Sequence, residues 1–392
     1  MIKSIFPYIV AIVCLMTSCQ GQQNKEAFRQ TGAATQYASL LEMQDMKGIG
    51  VFCRIMNPWQ PERVAMQYLL VESENGEEPK QNSNTDDSKI QDLEEQFGPF
   101  QILNVPLDRQ TVTSSCHLWL LKQFGALNTV SVVCDAEYVK IPAVQEALAT
   151  GTLTNGGSSM APNTEVIKAA GSSCIWLSPY ESTSQMMVLA QLPDLPVIYC
   201  ADYMECSPLA RAEWMRFYGR LVGKSYLADS LFHEVSSSYN AIATTDTTSA
   251  DCPTLLPELP FGATWYVPGG RSTLGLMYQD AGFQYPWAKD THGGSLSLSP
   301  EAVFERGNKA DIWIFKQYDE EQPTFTREWF LGQNALFGQF EAAQRGRVYG
   351  CNTAHSDYFD ATPFRPDLLL KELQYLKDGK EDSLVYFVKL KE

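Results

Sequence analysis

The side chains best suited to chemistry in this chain of 392 residues gather in five short polar and aromatic stretches. These are Thr113-Ser114-Ser115, Ser178-Pro179-Tyr180-Glu181, Asp202-Tyr203-Met204-Glu205, the run from Tyr266 to Ser272, and Thr353-Ala354-His355-Ser356-Asp357-Tyr358. Arg271 carries a planar fork of donors, Gly269 and Gly270 before it let a backbone come close, and Ser272 suits the cap of a following helix. Such a fork fits carboxylate, catecholate, hydroxamate or phosphate oxygens; the same residues also make a plain turn with Arg271 in solvent. Tyr180, Tyr203, Tyr266 and Tyr358 could stack on a flat ligand, whereas Trp176, inside an apolar run, reads as core. His117, between Cys116 and Leu118, reads as a helix packing residue.

Other chemistries are disfavoured. There is no G-x-S-x-G elbow, no H-E-x-x-H helix and no phosphate-cradling G-x-x-x-x-G-K-[ST] loop. An exported α/β hydrolase therefore stays a minor alternative. Without a C-x-x-C pair a thiolate zinc site is not expected. The net charge of -16 argues against nucleic-acid or anionic-membrane partners, which need clustered Lys and Arg.

The elements that position these loops follow from periodicity. Gly48 to Met56 and Arg63 to Glu72 read as an N-terminal β hairpin, and the acidic segment 74–99 as a solvated excursion. Apolar runs at Phe100 to Val105, Val130 to Cys134, Cys174 to Leu177 and Val197 to Cys200 alternate with helical patterns at Ser115 to Phe124, Pro142 to Ala149, Asn163 to Ala169 and Ser184 to Leu192. Strands without polar alternation are buried on both faces, which predicts a mainly parallel sheet covered by helices. From Pro208 apolar positions recur every three or four residues; Gly219 and Gly223 divide the pattern, leaving a helix over 224–243. Beyond Thr244 to Ser249 a second α/β pattern begins, with strands at Gly262 to Val267, Ile312 to Phe315 and Arg347 to Gly350. The expected fold is two α/β lobes, 39–223 and 244–392, joined by one long rigid helix. Their cleft would gather the five loops.

The start of the chain adds an address. Lys3, an apolar run from Ile5 to Leu15 and then Met16-Thr17-Ser18-Cys19 describe a signal peptide, 1–18, cleaved before a cysteine that takes acyl chains. The alternative is a plain secretory signal. Residues 19–38 read as a tether. Eight further cysteines permit disulfides, with Cys200–Cys206 and Cys252–Cys351 as candidate pairs, while Cys116, Cys134, Cys174 and Cys200 sit in apolar segments as core residues do.

Several stretches, in order, resemble the periplasmic binding proteins of ABC importers for ferric siderophores, haem and cobalamin. They are Asn163-Thr164-Glu165-Val166-Ile167 ahead of Cys174 to Leu177, Ala212-Glu213-Trp214 through Lys224, Trp265 to Ser272 with Asp280-Ala281-Gly282, Leu298 to Val303 with Ala310 to Ile314, and Arg345 to Tyr349. The resemblance spans roughly 98–377. It implies a lipid-anchored carrier on the periplasmic side of a bacterial envelope membrane, not an enzyme. Its cargo would be a ferric siderophore, haem or cobalamin, held by Ser114, Ser115, Tyr180, Tyr203, Tyr266, Arg271, Ser272, His355 and Tyr358. It would hand that cargo to a permease and its ATPase. His355 would be the axial-ligand candidate were haem carried. Glu165 and Glu301 would dock on permease arginines, although each also suits a first-turn acid stabilising its helix dipole. A haem-scavenging or chelatase-like lipoprotein on the same fold is the alternative.

Overall fold

The computed structural model describes residues 35–72, 84–180, 187–188, 190–243 and 252–392. The signal segment, Cys19, most of the proposed tether, the boundary string at 244–249 and much of the helix expected at 184–192 lie outside them. Strands β1 (Leu41–Met46), β2 (Gly50–Met56) and β3 (Val64–Glu72) form an antiparallel meander, so the hairpin gains a strand. Helix α1 (Asn84–Phe97) follows, and β4 (Gln101–Val105) pairs parallel to β3. Two expectations are corrected here. The 100–105 run belongs to this first sheet, and the acidic segment is not merely a solvated excursion. Ile90, Leu93 and Phe97 recur at helical spacing and pack α1 onto Phe52 and Leu69, with the Phe52 and Phe97 rings 4.8 Å apart. Asp92, Glu94 and Glu95 of α1 are exposed.

The second sheet is entirely parallel, in the order β7-β6-β5-β8-β9. It is built from β5 (Gln110–Val112), α2 (Ser115–Gln123), β6 (Val130–Val133), α3 (Pro142–Thr150), β7 (Thr154–Asn155), α4 (Thr164–Ala169), β8 (Cys174–Leu177) and β9 (Val197–Tyr199). The chain runs outward from β5 to one side and returns to extend the other, so the order reverses beside β5. That is where a crevice opens at strand carboxyl ends. Tyr68 on β3 joins the two sheets: its hydroxyl donates to Val197 O at 2.6 Å and accepts from Tyr199 N at 3.0 Å.

Three helices come next: α5 (Pro208–Glu213), α6 (Met215–Leu221) and α7 (Ser225–Ile242). At 18 residues α7 is about 27 Å long. The break falls at Trp214 and at Gly223, whose φ of 66° suits glycine. Gly219 does not divide the helices as expected; it lets α6 and α7 touch, because a Cβ there would run into that of Ala228.

The remaining elements are β10 (Leu255–Pro257), β11 (Pro260–Phe261), β12 (Thr264–Pro268), α8 (Thr273–Asp280), β13 (Ser295–Leu298), α9 (Pro300–Gly307), β14 (Ile312–Gln317), α10 (Arg327–Gln333), α11 (Glu341–Gln344), β15 (Val348–Asn352), α12 (Tyr358–Ala361), α13 (Pro366–Asp378) and β16 (Val388–Lys389). Strands β10, β14 and β15 are parallel, with β16 antiparallel at the edge. The strand expected at 262–267 instead forms an antiparallel sheet, β11-β12-β13. Antiparallel pairing alternates its faces, so Trp265 and Val267 are buried while Tyr266 is exposed. Trp265 stacks on Trp313 at 5.5 Å in the core of this half. None of the eight described cysteines is bridged, so neither candidate disulfide forms.

The end of the proposed tether is also corrected. Residues 36–40 are held by two buried carboxylates. Glu213 accepts the N–H groups of Gln36, Tyr37 and Ala38 at 2.8, 2.7 and 2.8 Å, and Glu205 accepts those of Ser39 and Leu40 at 3.0 and 2.8 Å. Tyr37 then bonds Asn240 on α7 at 2.9 Å.

Because α6 and α7 meet at Gly219, the Gly219→Val variant should lose about 1–3 kcal/mol of stability by overpacking. Adding Ala228→Gly should restore part of that loss, measured as the urea midpoint of the double variant against the single.

Candidate functional site

A cavity of about 460 Å³ opens over the second sheet. Its walls come from the carboxyl ends of four strands: Thr113 to His117 after β5, Cys134, Asp135 and Tyr138 after β6, Leu177, Ser178 and Tyr180 at β8, and Asp202 and Tyr203 after β9. Ser159 and Met160 follow β7, and Arg211 enters from α5. Residues C-terminal to α7 meet the rim. Trp119 Nε1 donates to Asp357 at 3.3 Å, Ser115 bonds Asp360, and the rings of Tyr138 and Tyr318 meet edge to face at 6.0 Å. Lys140 lies over Tyr318, 5.6 Å from the ring centre. Beneath, Thr273 Oγ1 at the start of α8 donates to Glu205 O at 3.1 Å.

The floor is organised by Asp202, which is 1% exposed. One carboxylate oxygen bonds His117 Nε2 at 3.0 Å and accepts the Tyr218 hydroxyl at 2.7 Å; the other accepts Arg211 Nε at 3.2 Å. Burial alone would raise this carboxyl, but His117, Arg211 and Tyr218 outweigh it and hold it at about 2. Trp176 stacks on Tyr218 at 4.9 Å beneath the same network. Burial pushes the Cys116 thiol up to about 11, with Asp202 adding to it, and burial with Asp135 takes Cys134 to about 12. Both thiols stay protonated and poorly suited to hold a metal. No group of three or more His, Cys, Asp or Glu able to hold a metal occurs among the described residues.

Of the residues singled out from sequence, Ser114, Ser115, Tyr180 and Tyr203 line the cavity. Both tyrosine hydroxyls are engaged, Tyr180 with Met160 O at 3.0 Å and Tyr203 with Pro179 O, which leaves their rings as the contact surface. The others lie elsewhere. Tyr358 is buried against Tyr386 and Phe387, because the chain turns into α12 at that residue. Ser272 is buried as the cap of α8, accepting Gly275 N at 3.1 Å. Arg271 and His355 are exposed outside the lining, and Tyr266 stands on the open face of β12. The glycines before Arg271 admit the protein's own chain: a Cβ at Gly270 would lie 2.5 Å from the carbonyls of Trp287 and Ala288.

His117, Arg211, Asp135, Tyr138, Ser159 and Met160 were not among the site residues expected. His117 is flanked by apolar neighbours, so its polar partner on a loop 85 residues away was invisible. Arg211 lies inside an amphipathic helix. The residues after β6 and β7 could have been found by extending the strand-end rule to every strand. Glu165 and Glu301 stand apart from the cavity in the first turns of α4 and α9. Asn163 and Ser299 cap those turns, and both acids are exposed. The Glu165 side chain is 82% exposed, with Lys168 3.5 Å away, and Glu301 is lowered by its own N–H and the Ser299 hydroxyl.

A family model described as periplasmic binding protein matches residues 113–354. An uncharacterized lipoprotein of Methanocaldococcus jannaschii is 26% identical over 306 residues, covering 74% of this chain and 70% of its own. Among solved structures, a periplasmic heme binding protein from Pseudomonas aeruginosa superposes with a TM-score of 0.54 at 14% identity, covering 73% of this chain and 99% of that one. A protein of an ABC-type Fe3+-hydroxamate transport system from Saccharomonospora viridis does so with a TM-score of 0.52 at 15% identity, covering 69% and 93%. At these identities the likeness establishes the fold.

Asp202 gives a pH signature. Its carboxyl is lower in the folded chain than in the unfolded one, so its stabilisation is full above about pH 4 and disappears as pH falls towards 2. Urea unfolding at pH 4 and at pH 2 should show wild type losing about 2 kcal/mol more than Asp202→Asn.

Proposed function

The chain belongs to the periplasmic binding protein family, and on that premise we propose that it is the substrate-binding component of an ABC importer. It works outside the cytoplasm and carries an iron complex, a siderophore or haem, or cobalamin. The observation that carries this reading is the cavity itself. Strand ends of the N-terminal sheet form its floor, and Tyr318, Asp357 and Asp360 from beyond α7 close on its rim. A container built from both sides of one long helix suits capture and release better than bond-making. The two α/β units on either side of α7 would act as lobes, and a continuous helix between them allows little hinge motion.

Cys19 is proposed as the lipid attachment, placing the carrier beside its permease. An anchored carrier meets that permease at a raised effective concentration. Glu165 and Glu301 are proposed to dock on permease arginines, and their exposure on the first turns of two separate helices supports this. Two exposed carboxylates, held apart by rigid structure, set orientation as well as attraction.

Purified protein mixed with hemin, cyanocobalamin or a ferric catecholate and then desalted should retain the colour of one of them; a colourless eluate with all three would refute the cargo assignment. In cells, the Glu165→Ala/Glu301→Ala double variant should cut uptake about tenfold or more while cargo affinity in vitro stays within about twofold.

A further inference from the structure

The turn from Asn57 to Arg63 joins β2 to β3 and lies outside the residues that the family model matches. Its tip is Trp59, 40% exposed, and Val64 just beyond it is 36% exposed. All eight tryptophans of the chain lie among the described residues; six are buried, Trp329 is half-buried, and Trp59 alone is exposed. The turn that presents it is well tied. Asn57 Oδ1 accepts the N–H groups of Trp59 and Gln60 at 2.9 and 3.0 Å, and Asn57 N donates to Arg63 O at 2.8 Å. Pro58 and Pro61 restrict the same backbone further. An indole combines a broad apolar ring with one polar N–H edge, which is why tryptophan favours the boundary between lipid and water.

Two observations say what covers this tip. The first is its position: Leu41 pairs with Ile55, and Met56 N donates to Leu40 O at 2.8 Å. The chain arriving from Cys19 therefore enters the fold at the same end of the sheet as the Trp59 turn. Sixteen residues separate Cys19 from Thr35, a reach of at most about 55 Å. That keeps this end of the sheet near any bilayer that holds Cys19. The second is charge. In a chain of net charge -16, the stretch from Asn57 to Val64 carries only Glu62 and Arg63, which cancel. Glu42, close by at the start of β1, is paired with Arg54 at 3.3 Å. A neutral aromatic tip suits zwitterionic headgroups, where the acidic body as a whole would be repelled by an anionic surface.

We propose that the Trp59 turn is a membrane-contact tip, seating its indole at the headgroup boundary of a zwitterionic phospholipid bilayer beside the lipid attachment at Cys19. This rests on the anchor reading above and adds an orientation to it. Acyl chains at Cys19 fix a point; a second contact at the same end of the sheet turns that end towards the bilayer.

The lipidated chain, extracted with detergent from cell membranes, is reconstituted into phosphatidylcholine vesicles with and without phosphatidylcholine brominated on its acyl chains. Bromine quenches tryptophan only at close range, and the other seven indoles are shielded by the fold. Wild type should lose about a tenth of its tryptophan emission in the brominated vesicles, one indole among eight. Trp59→Ala should lose none, while floating with the vesicles and keeping the wild-type thermal midpoint. Wild-type emission that is equal in both vesicle types, from protein that floats with them, would overturn the tip and leave the anchor standing. So would quenching that persists in Trp59→Ala. Absence of quenching together with reduced uptake by Trp59→Ala cells would assign the tip to a protein partner and overturn the membrane contact. Recovery of wild type only in the soluble fraction would overturn both the tip and the anchor.

Discussion

Burying a carboxylate away from water costs several kcal/mol unless donors replace the solvent, and Asp202 meets that demand with donors from three different elements. His117 comes from α2, Arg211 from α5 and Tyr218 from α6. His117 stands 85 residues from Asp202, while Arg211 and Tyr218 sit on two successive helices, so satisfying one side chain fixes the end of the parallel sheet against the helices that lead to α7. The cavity floor is therefore a by-product of a folding requirement. Its shape cannot relax without leaving a buried charge unpaired, and Trp176 stacks on Tyr218 beneath it.

The halves on either side of α7 treat their buried polar groups differently. The N-terminal half opens its network to a cavity. The C-terminal half closes its own: Lys316 is paired with Glu258 and lies over the Tyr358 ring, 5.5 Å from its centre, and Trp313 donates its indole N–H to Glu258 O at 2.8 Å. Cluster upon cluster of rings around Trp265, Trp313 and Phe315 fills the rest. The latter half thus supplies a firm rim, and the former supplies the groups that line the cavity.

Which parts were legible from residues alone follows the range of the interactions involved. Runs such as Cys174 to Leu177 and the pattern of α7 announce themselves locally, and their observed bounds match within a residue or two. Ser114, Ser115, Tyr180 and Tyr203 were found because they follow strands, a local relation that the parallel sheet converts into convergence. Tyr358 and Ser272 were misplaced because loop composition does not reveal whether a chain turns inward to cap a helix. The Gly269-Gly270 pair was read as an approach for a ligand when it serves an approach of the protein to itself. His117 depends on a partner 85 residues away, and Arg211 reaches from its helix to the turn before it; no local pattern encodes that shared partner.

The clamp on residues 36–40 has a mechanical meaning. Glu205 holds Ser39 and Leu40 while its own carbonyl is held by Thr273, and it lies three residues beyond Asp202 in the same short turn. A pull on the chain ahead of Thr35 is thus not absorbed by a loose strand end. It loads the turn that carries the cavity floor and the start of the helices leading to α7, like a strap riveted to the keel of a boat rather than tied to its rail. Whatever the preceding segment is fastened to, tension and torque arrive first at the place where cargo would rest.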